Sequence, residues 1–199
     1  MIVLPALGFA LLGYLSGSLS FSIWVTRLVK GVDVRNAGSG HATATNTIRQ
    51  AGFAPGVLVL LLDLTKGFVP VWLALRYAPA AWIVPLTAAC VVIGHCWPVF
   101  AGFRGGMGLA STGGALLAAS PLAFLTAAAV LITLTLTVRH GARASIFTAV
   151  VLAPAFWLFG LRGFEFQIAL SVGVVIASRF LVDWNRSYRE LWLDREKPQ

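Results

Sequence analysis

The sequence predicts an all-α protein, a polytopic membrane bundle of about seven transmembrane helices. Three observations predict it. First, the 199 residues are 58% hydrophobic and only 11% charged, against roughly 25% charged in a typical soluble domain. Second, the apolar residues gather in runs comparable to the roughly 20 that a helix needs to cross a bilayer core. Third, the positive residues alternate with those runs instead of forming one patch, which is how membrane topology is encoded. The net charge of +8 therefore implies no nucleic acid partner.

Taken in order, the opening run MIVLPALGFALLGYL lacks the basic flank of a cleavable signal and reads as a retained first span over 3–25. Further helices are predicted over 53–75, 80–100, 108–119, 121–138, 145–160 and 165–182. Seven crossings place the termini on opposite sides. One set of connections then holds Arg27, Lys30, Arg35, Arg49, Arg104, Arg139, Arg143, Arg179, Arg186, Arg189, Arg195 and Lys197, and the other only Arg76 and Arg162. The positive-inside rule puts the N-terminus outside and the C-terminus in the cytoplasm. Residues 1–183 read as a single transmembrane domain and 184–199 as a charged, aromatic cytoplasmic tail. In that tail Trp184, Tyr188 and Trp192 recur every four residues, a stripe expected to anchor at the membrane surface. Cys90 and Cys96 show no disulfide or metal spacing and read as buried thiols.

Three polar features break this apolar chain. The first is GVDVRNAGSGHATATNTIR, residues 31–49. Gly38 and Gly40 permit backbone conformations with exposed amides, and Ser39 can cap a helix that follows. A helix from about Ala42 sets Thr45 and Arg49 one turn apart, with Asn46 beside them. Glycine amides, hydroxyls, a helix N-terminus and the flanking Arg35 and Arg49 suit an anionic phosphate. The loop reads equally as a capped connector with membrane-flanking arginines. The second feature is GHCWPVFAGFRGGMG, residues 94–108. His95 is placed in a helix that Pro98 should kink, and glycines including Gly105, Gly106 and Gly108 surround Arg104. No Gly-Lys-Ser/Thr follows, so this is not a nucleotide-hydrolase phosphate loop.

The third feature is LLLDLTKGF, where Asp63 and Lys66 share one helix face. They read as a structural ion pair inside the membrane, mutually satisfied. No paired histidines at metal spacing, no nucleophile elbow and no carboxylate cluster occur. Metal-assisted and carboxylate-pair hydrolysis are therefore not expected, and no cofactor is implied.

Together, VRNAGSG-x-x-x-ATN-x-x-R, DLTKG, GH-x-x-PVF-x-GFRGG-x-G and the late arginine-bearing terminus resemble one bacterial family. It is the membrane acyl-phosphate–glycerol-3-phosphate acyltransferases of the PlsY type. The resemblance covers nearly the whole chain. It implies seven membrane helices in the bacterial cytoplasmic (inner) membrane, with the active site open to the cytoplasm. It further implies acyl transfer from acyl-phosphate to the 1-hydroxyl of glycerol-3-phosphate, giving lysophosphatidic acid and phosphate in phospholipid synthesis. Ser39, Thr45, Asn46 and Arg49 then fall on the family's polar-loop site, His95, Gly105, Gly106 and Gly108 on its second motif, and Ser145 on a later cytoplasmic motif. Several positions depart from the family pattern. His41 replaces an asparagine, Thr43 a glycine and Met107 a lysine expected to hold phosphate. Phe180 and Asp183 stand in place of a histidine and an asparagine.

An acyl phosphate is a mixed anhydride whose carbonyl is already activated, so the protein must supply proximity, orientation and charge stabilisation rather than a nucleophile. Glycine amides and arginines would hold the two phosphates, and an apolar cleft in contact with membrane lipid would hold the acyl chain. His95 and a substrate phosphate are the two candidate proton acceptors, and with Phe180 in place of the implied histidine the substrate is preferred. The altered positions leave two alternatives open. One is a relative that binds a lipid or phosphorylated ligand without turnover, and the other a small transporter, since glycine-broken helices also build transport sites.

Overall fold

In the computed structural model, which describes residues 2–186, nine α-helices follow one another in those residues. They are α1 (Val3–Gly17), α2 (Phe21–Lys30), α3 (Ala44–Ala51), α4 (Phe53–Tyr77), α5 (Ile83–Cys96), α6 (Leu109–Ala119), α7 (Pro121–Val138), α8 (Gly141–Leu158) and α9 (Phe164–Leu181). Among the described residues six stretches are long and apolar enough to cross a membrane: Val3–Lys30, Phe53–Tyr77, Ile83–Ala101, Pro121–Val138, Gly141–Leu158 and Phe164–Leu181. The seventh expected run, α6, has 11 residues, a length of about 16 Å and half a bilayer core. It is a shorter apolar helix that packs chiefly on α4.

The first expected span is two helices. The chain leaves α1 at Ser18, whose hydroxyl donates to the Tyr14 carbonyl at 2.8 Å. It re-enters helix at Phe21. The freed Leu19 carbonyl accepts a 2.7 Å bond from Lys66 Nζ on α4. A buried cation thus satisfies the backbone group that the break exposes, as a membrane interior requires. Pro98 likewise ends α5 instead of kinking it. Trp97, the residue before it, adopts φ −129°, ψ 68°, because the proline ring disfavours helical geometry at the preceding residue. His95 therefore lies in the last turn of α5, at the edge of the glycine loop. The helix after the polar loop starts at Ala44 and is capped by Thr43, whose hydroxyl accepts from the Asn46 amide at 3.2 Å, rather than by Ser39. Helix α8 begins four residues earlier than its hydrophobic run, since the His140 ring caps it by accepting from the Arg143 amide.

Glycines set the helix spacing. Gly13 and Gly17, one turn apart on α1, lie on the Thr87 and Val91 carbonyls of α5, and Gly94 of α5 lies reciprocally on the Tyr14 carbonyl. Gly67 of α4 and Gly114 of α6 meet the Ser111 and Leu64 carbonyls in the same way. Backbones this close leave no room for a side chain, which is how small residues drive helix association where lipid removes the hydrophobic incentive. The apolar core includes Val71, Val84, Val92, Leu116, Phe156 and Ile168. By contrast α7 buries only Ala123 and exposes Leu122, Leu125, Ile132 and Leu136, so its outer face is suited to lipid. Cys90 is half-buried and Cys96 buried, both as free thiols. Trp184 packs edge-on against Phe147 at 6.1 Å beneath the Arg143 guanidinium, which ties it to α8. Tyr188 and Trp192, the rest of the expected stripe, lie outside the described residues.

Candidate active site

The polar loop is built around one amide. Asn46 is fully buried, and its Nδ2 faces the Val34, Ala37 and His41 carbonyls at 2.8, 3.1 and 3.1 Å. Its Oδ1 accepts from the Ser39 amide at 3.3 Å. Gly38 turns above that oxygen at φ +60°, where a Cβ would strike it. Gly40 follows at φ +71°. Asn46, Gly38 and Gly40 thus shape the loop and do not line the cavity beside it.

Arg35 is also spent on architecture. Its Nε and Nη2 donate to the two carboxylate oxygens of Asp33 at 2.9 and 2.8 Å, and its Nη1 donates to the Ala101 carbonyl at 2.7 Å. Hydrogen bonding from Arg35 holds the Asp33 carboxyl well below the usual carboxylate range, and the Arg35 pKa is raised in return. The neutralised pair staples the loop to the segment after α5, so the phosphate role expected for Arg35 is not where its side chain points. Arg104 is exposed and absent from the cavity wall.

The cavity has a volume of about 500 Å³. Its polar end carries Ser39, His41, Thr43, Thr45 and Arg49 from the loop and α3, together with Asp63, His95 and Ser145. From there an apolar arm runs between Leu60 and Leu64 of α4, Leu116 of α6, Phe124 and Leu131 of α7, and Leu152 of α8. Thr135, Leu131, Ala128, Ala127 and Phe124 recur on one face of α7, so the arm follows that helix for about 16 Å. Of the expected site residues, Ser39, Thr45, Arg49, His95, Gly108 and Ser145 come together here.

The glycine loop closes over His95. Gly105 and Gly106 donate backbone bonds to the Cys96 and His95 carbonyls at 3.2 and 3.0 Å. A Cβ on Gly106 would collide with His95 Nε2 and the Ala42 carbonyl, so glycine is required for the loop to seat there. Beyond it Gly108, at φ +85°, and Met107 reach the wall. His95 Nδ1 has no hydrogen-bond partner among the described residues and stands 3.8 Å from Asp63 Oδ1. Asp63 in turn pairs with Lys66 at 2.8 Å. That pair is the structural one expected, with the addition that its carboxylate also faces the cavity. The Ser145 hydroxyl donates to the Gly141 carbonyl at 2.8 Å.

Along most of its length the chain is similar to proteins of one family. The sequence profile described as glycerol-3-phosphate acyltransferase matches residues 7–190. The chain belongs to the glycerol-3-phosphate acyltransferase family. A relative of that name from Aquifex aeolicus is 37% identical over 187 residues, covering 92% of this chain and 95% of the relative. One from Erythrobacter litoralis is 36% identical over 84% of each chain. The match to a Thermotoga maritima relative, at 48% identity, spans 53% of that protein and 52% of this chain. A crystal structure of PlsY (YgiH), an integral membrane glycerol 3-phosphate acyltransferase, in its glycerol 3-phosphate form, superposes with a TM-score of 0.80 at 34% identity, covering 98% of this chain and 96% of that one. Its lysophosphatidic acid form gives 0.79, also at 34% identity, over 91% and 90%.

Against this family background, two of the departures prove to be neighbours. His41 Nε2 lies 2.9 Å from Asp183 Oδ2, and Arg179 Nη2 lies 3.2 Å from His41 Nδ1. Read singly, each looked like a lost family contact. Their joint change, 142 residues apart, is the signal that could have revealed them as partners.

Proposed function

We propose that this member of the family transfers an acyl group from an acyl phosphate to the 1-hydroxyl of glycerol-3-phosphate, without a covalent acyl-enzyme. The observation that carries the reading is the joining of a polar, arginine-bearing end and a long apolar arm in one cavity. The arm suits a fatty chain, and Arg49 with the neighbouring hydroxyls suits a phosphate. The acyl carbonyl would then lie between them, near His95 and Ser145. Because the anhydride carbonyl is already activated, holding both reactants in line is a large part of the catalytic task. The chain would work in the bacterial cytoplasmic membrane, with the polar end open to the cytoplasm.

Purified protein in lipid, given acyl phosphate and glycerol-3-phosphate, should form lysophosphatidic acid and release phosphate. Intact mass after mixing with acyl phosphate alone should be unchanged. Binding without product would replace the reading, and a protein heavier by one acyl group would refute direct transfer. For orientation, a cysteine placed at Ala78 should be labelled from outside, and a reporter fused after Gln199 should report from the cytoplasm. Labelling of Ala78→Cys only after the cells are opened would reverse the assignment.

Phe124 lines the arm in the first turn of α7, beside Gly113. Phe124→Ala should lengthen it and shift preference toward longer chains. Each newly accommodated methylene adds about 0.8 kcal/mol, or about fourfold in kcat/KM. A graded series of acyl phosphates measures this, and an unchanged optimum would place the chain elsewhere.

A further inference from the structure

The His41–Asp183–Arg179 cluster is a second polar construction at the cavity wall, and the reading of the reaction so far makes no use of it. His41 is about nine-tenths buried and lines the cavity, while Asp183 stands behind it, also buried. A guanidinium can only donate, so Nδ1 of His41 accepts from Arg179 and Nε2 carries the proton donated to Asp183. The carboxylate thereby fixes both ring orientation and tautomer, the part an acid plays behind a catalytic histidine. Among the described residues, the charged groups facing the ring are the Asp183 carboxylate and the Arg179 and Arg186 guanidiniums. Arg186 approaches Asp183 Oδ1 at 3.6 Å and donates to the Ser39 carbonyl at 3.0 Å. Burial, then Arg179, lowers the His41 pKa against the opposing pull of Asp183, so the ring is neutral at pH 7 and its basic atom is Nδ1.

Arg179 holds that atom with one end and the Gly106 carbonyl with the other, its Nε donating at 3.2 Å. Both partners are neutral acceptors. A phosphate is a stronger one, because charge-assisted bonds to guanidinium are roughly twice as strong as neutral ones.

We propose that His41, oriented by Asp183, is the proton acceptor for the attacking hydroxyl, and that Arg179 uncovers its Nδ1 by turning to the acceptor's phosphate. This rests on the acyl-transfer reading above. In the step, the hydroxyl oxygen bonds to the acyl carbon and the carbon–oxygen bond to phosphate breaks, its electron pair leaving on the phosphate. The hydroxyl proton passes to Nδ1, and Asp183 balances the imidazolium. That proton then passes to the departing phosphate, which restores neutral His41. A covered base that only the acceptor uncovers would also suppress attack by water on the acyl phosphate.

The test is the pH dependence of purified wild type, His41→Asn and Asp183→Asn in lipid, with acyl phosphate and glycerol-3-phosphate. His41→Asn should lower kcat about 100-fold or more while KM for glycerol-3-phosphate stays within about threefold. A substrate phosphate also titrates near pH 6, so the acid limb alone does not identify the base. Asp183→Asn supplies the discrimination: losing the carboxylate makes the imidazolium harder to form, so a limb due to His41 moves to lower pH, whereas a substrate limb stays put. A preserved kcat in His41→Asn, with or without a raised KM, overturns the proposal, as does an acid limb that Asp183→Asn leaves unmoved. Should His41→Asn fail to fold, the near-isosteric Asp183→Asn decides by the same shift. Wild type that makes no lysophosphatidic acid would instead bring down the reading of the reaction itself.

Discussion

Arg49→Ala should cost roughly 10- to 150-fold in kcat/KM for glycerol-3-phosphate. Arg49 supplies the only lysine or arginine side chain among the described residues that line the cavity. Met107 occupies the wall position where the family pattern implies a lysine, so among the described residues no second cation lines the wall itself, and Arg179 reaches the acceptor only by leaving His41. A charge-assisted bond from guanidinium to phosphate contributes about 1.5–3 kcal/mol, which sets the range. Arg49→Lys should recover part of the loss, since an ammonium keeps the charge but not the planar fork. Arg76→Ala is the matched control. Arg76 lies over the Trp72 ring at the far end of α4, away from the cavity. Equal losses from Arg49→Ala and Arg76→Ala would mean that removing arginine merely destabilises the protein. Unchanged kcat/KM in Arg49→Ala alone would move the phosphate site elsewhere.

Lys66→Met should be the most damaging single change to stability. Lys66 is buried, paired with Asp63 at 2.8 Å and bonded to the Leu19 carbonyl at 2.7 Å where α1 breaks from α2. Removing the cation strands a buried carboxylate and a buried carbonyl together. Breaking one side of a buried pair costs about 3–5 kcal/mol, most of it the penalty of the charge left behind. Thermal unfolding in detergent should show the loss, and Asp63→Asn/Lys66→Met should recover much of it by removing the stranded charge. A double variant no more stable than Lys66→Met would assign the whole effect to the Leu19 contact.

Membrane architecture was legible because it depends on local composition. A run such as 121–138 must be helical and membrane-embedded whatever its neighbours, since lipid offers no partner for an unpaired peptide group, and the observed helix is Pro121–Val138. The family was legible for a related reason. Motifs such as DLTKG and GFRGG are contiguous, so they survive in one dimension. The small-residue pair Gly13 and Gly17 was also there to read, as a close-packing signal of the Gly-x-x-x-Gly kind.

The roles of individual polar residues were not legible, because residue type states what a group can do and not which way it faces. Arg35 and Arg49 flank the same loop and look equivalent in sequence. Tertiary structure separated them: the Asp33 carboxylate and the Ala101 carbonyl engage Arg35, while Arg49 reaches the cavity wall. Asn46 looked like a ligand contact and is the buried amide that shapes the loop. His41 and Asp183 looked like two losses and form one pair. By itself, then, the sequence determined the all-helical membrane bundle and the family, both of which follow from contiguous patterns and from the cost of placing peptide groups in lipid. Only the tertiary structure decided which of the loop's polar groups hold the backbone and which face the cavity, because a hydrogen bond is settled by ångström-scale distance and direction between residues that the chain keeps far apart.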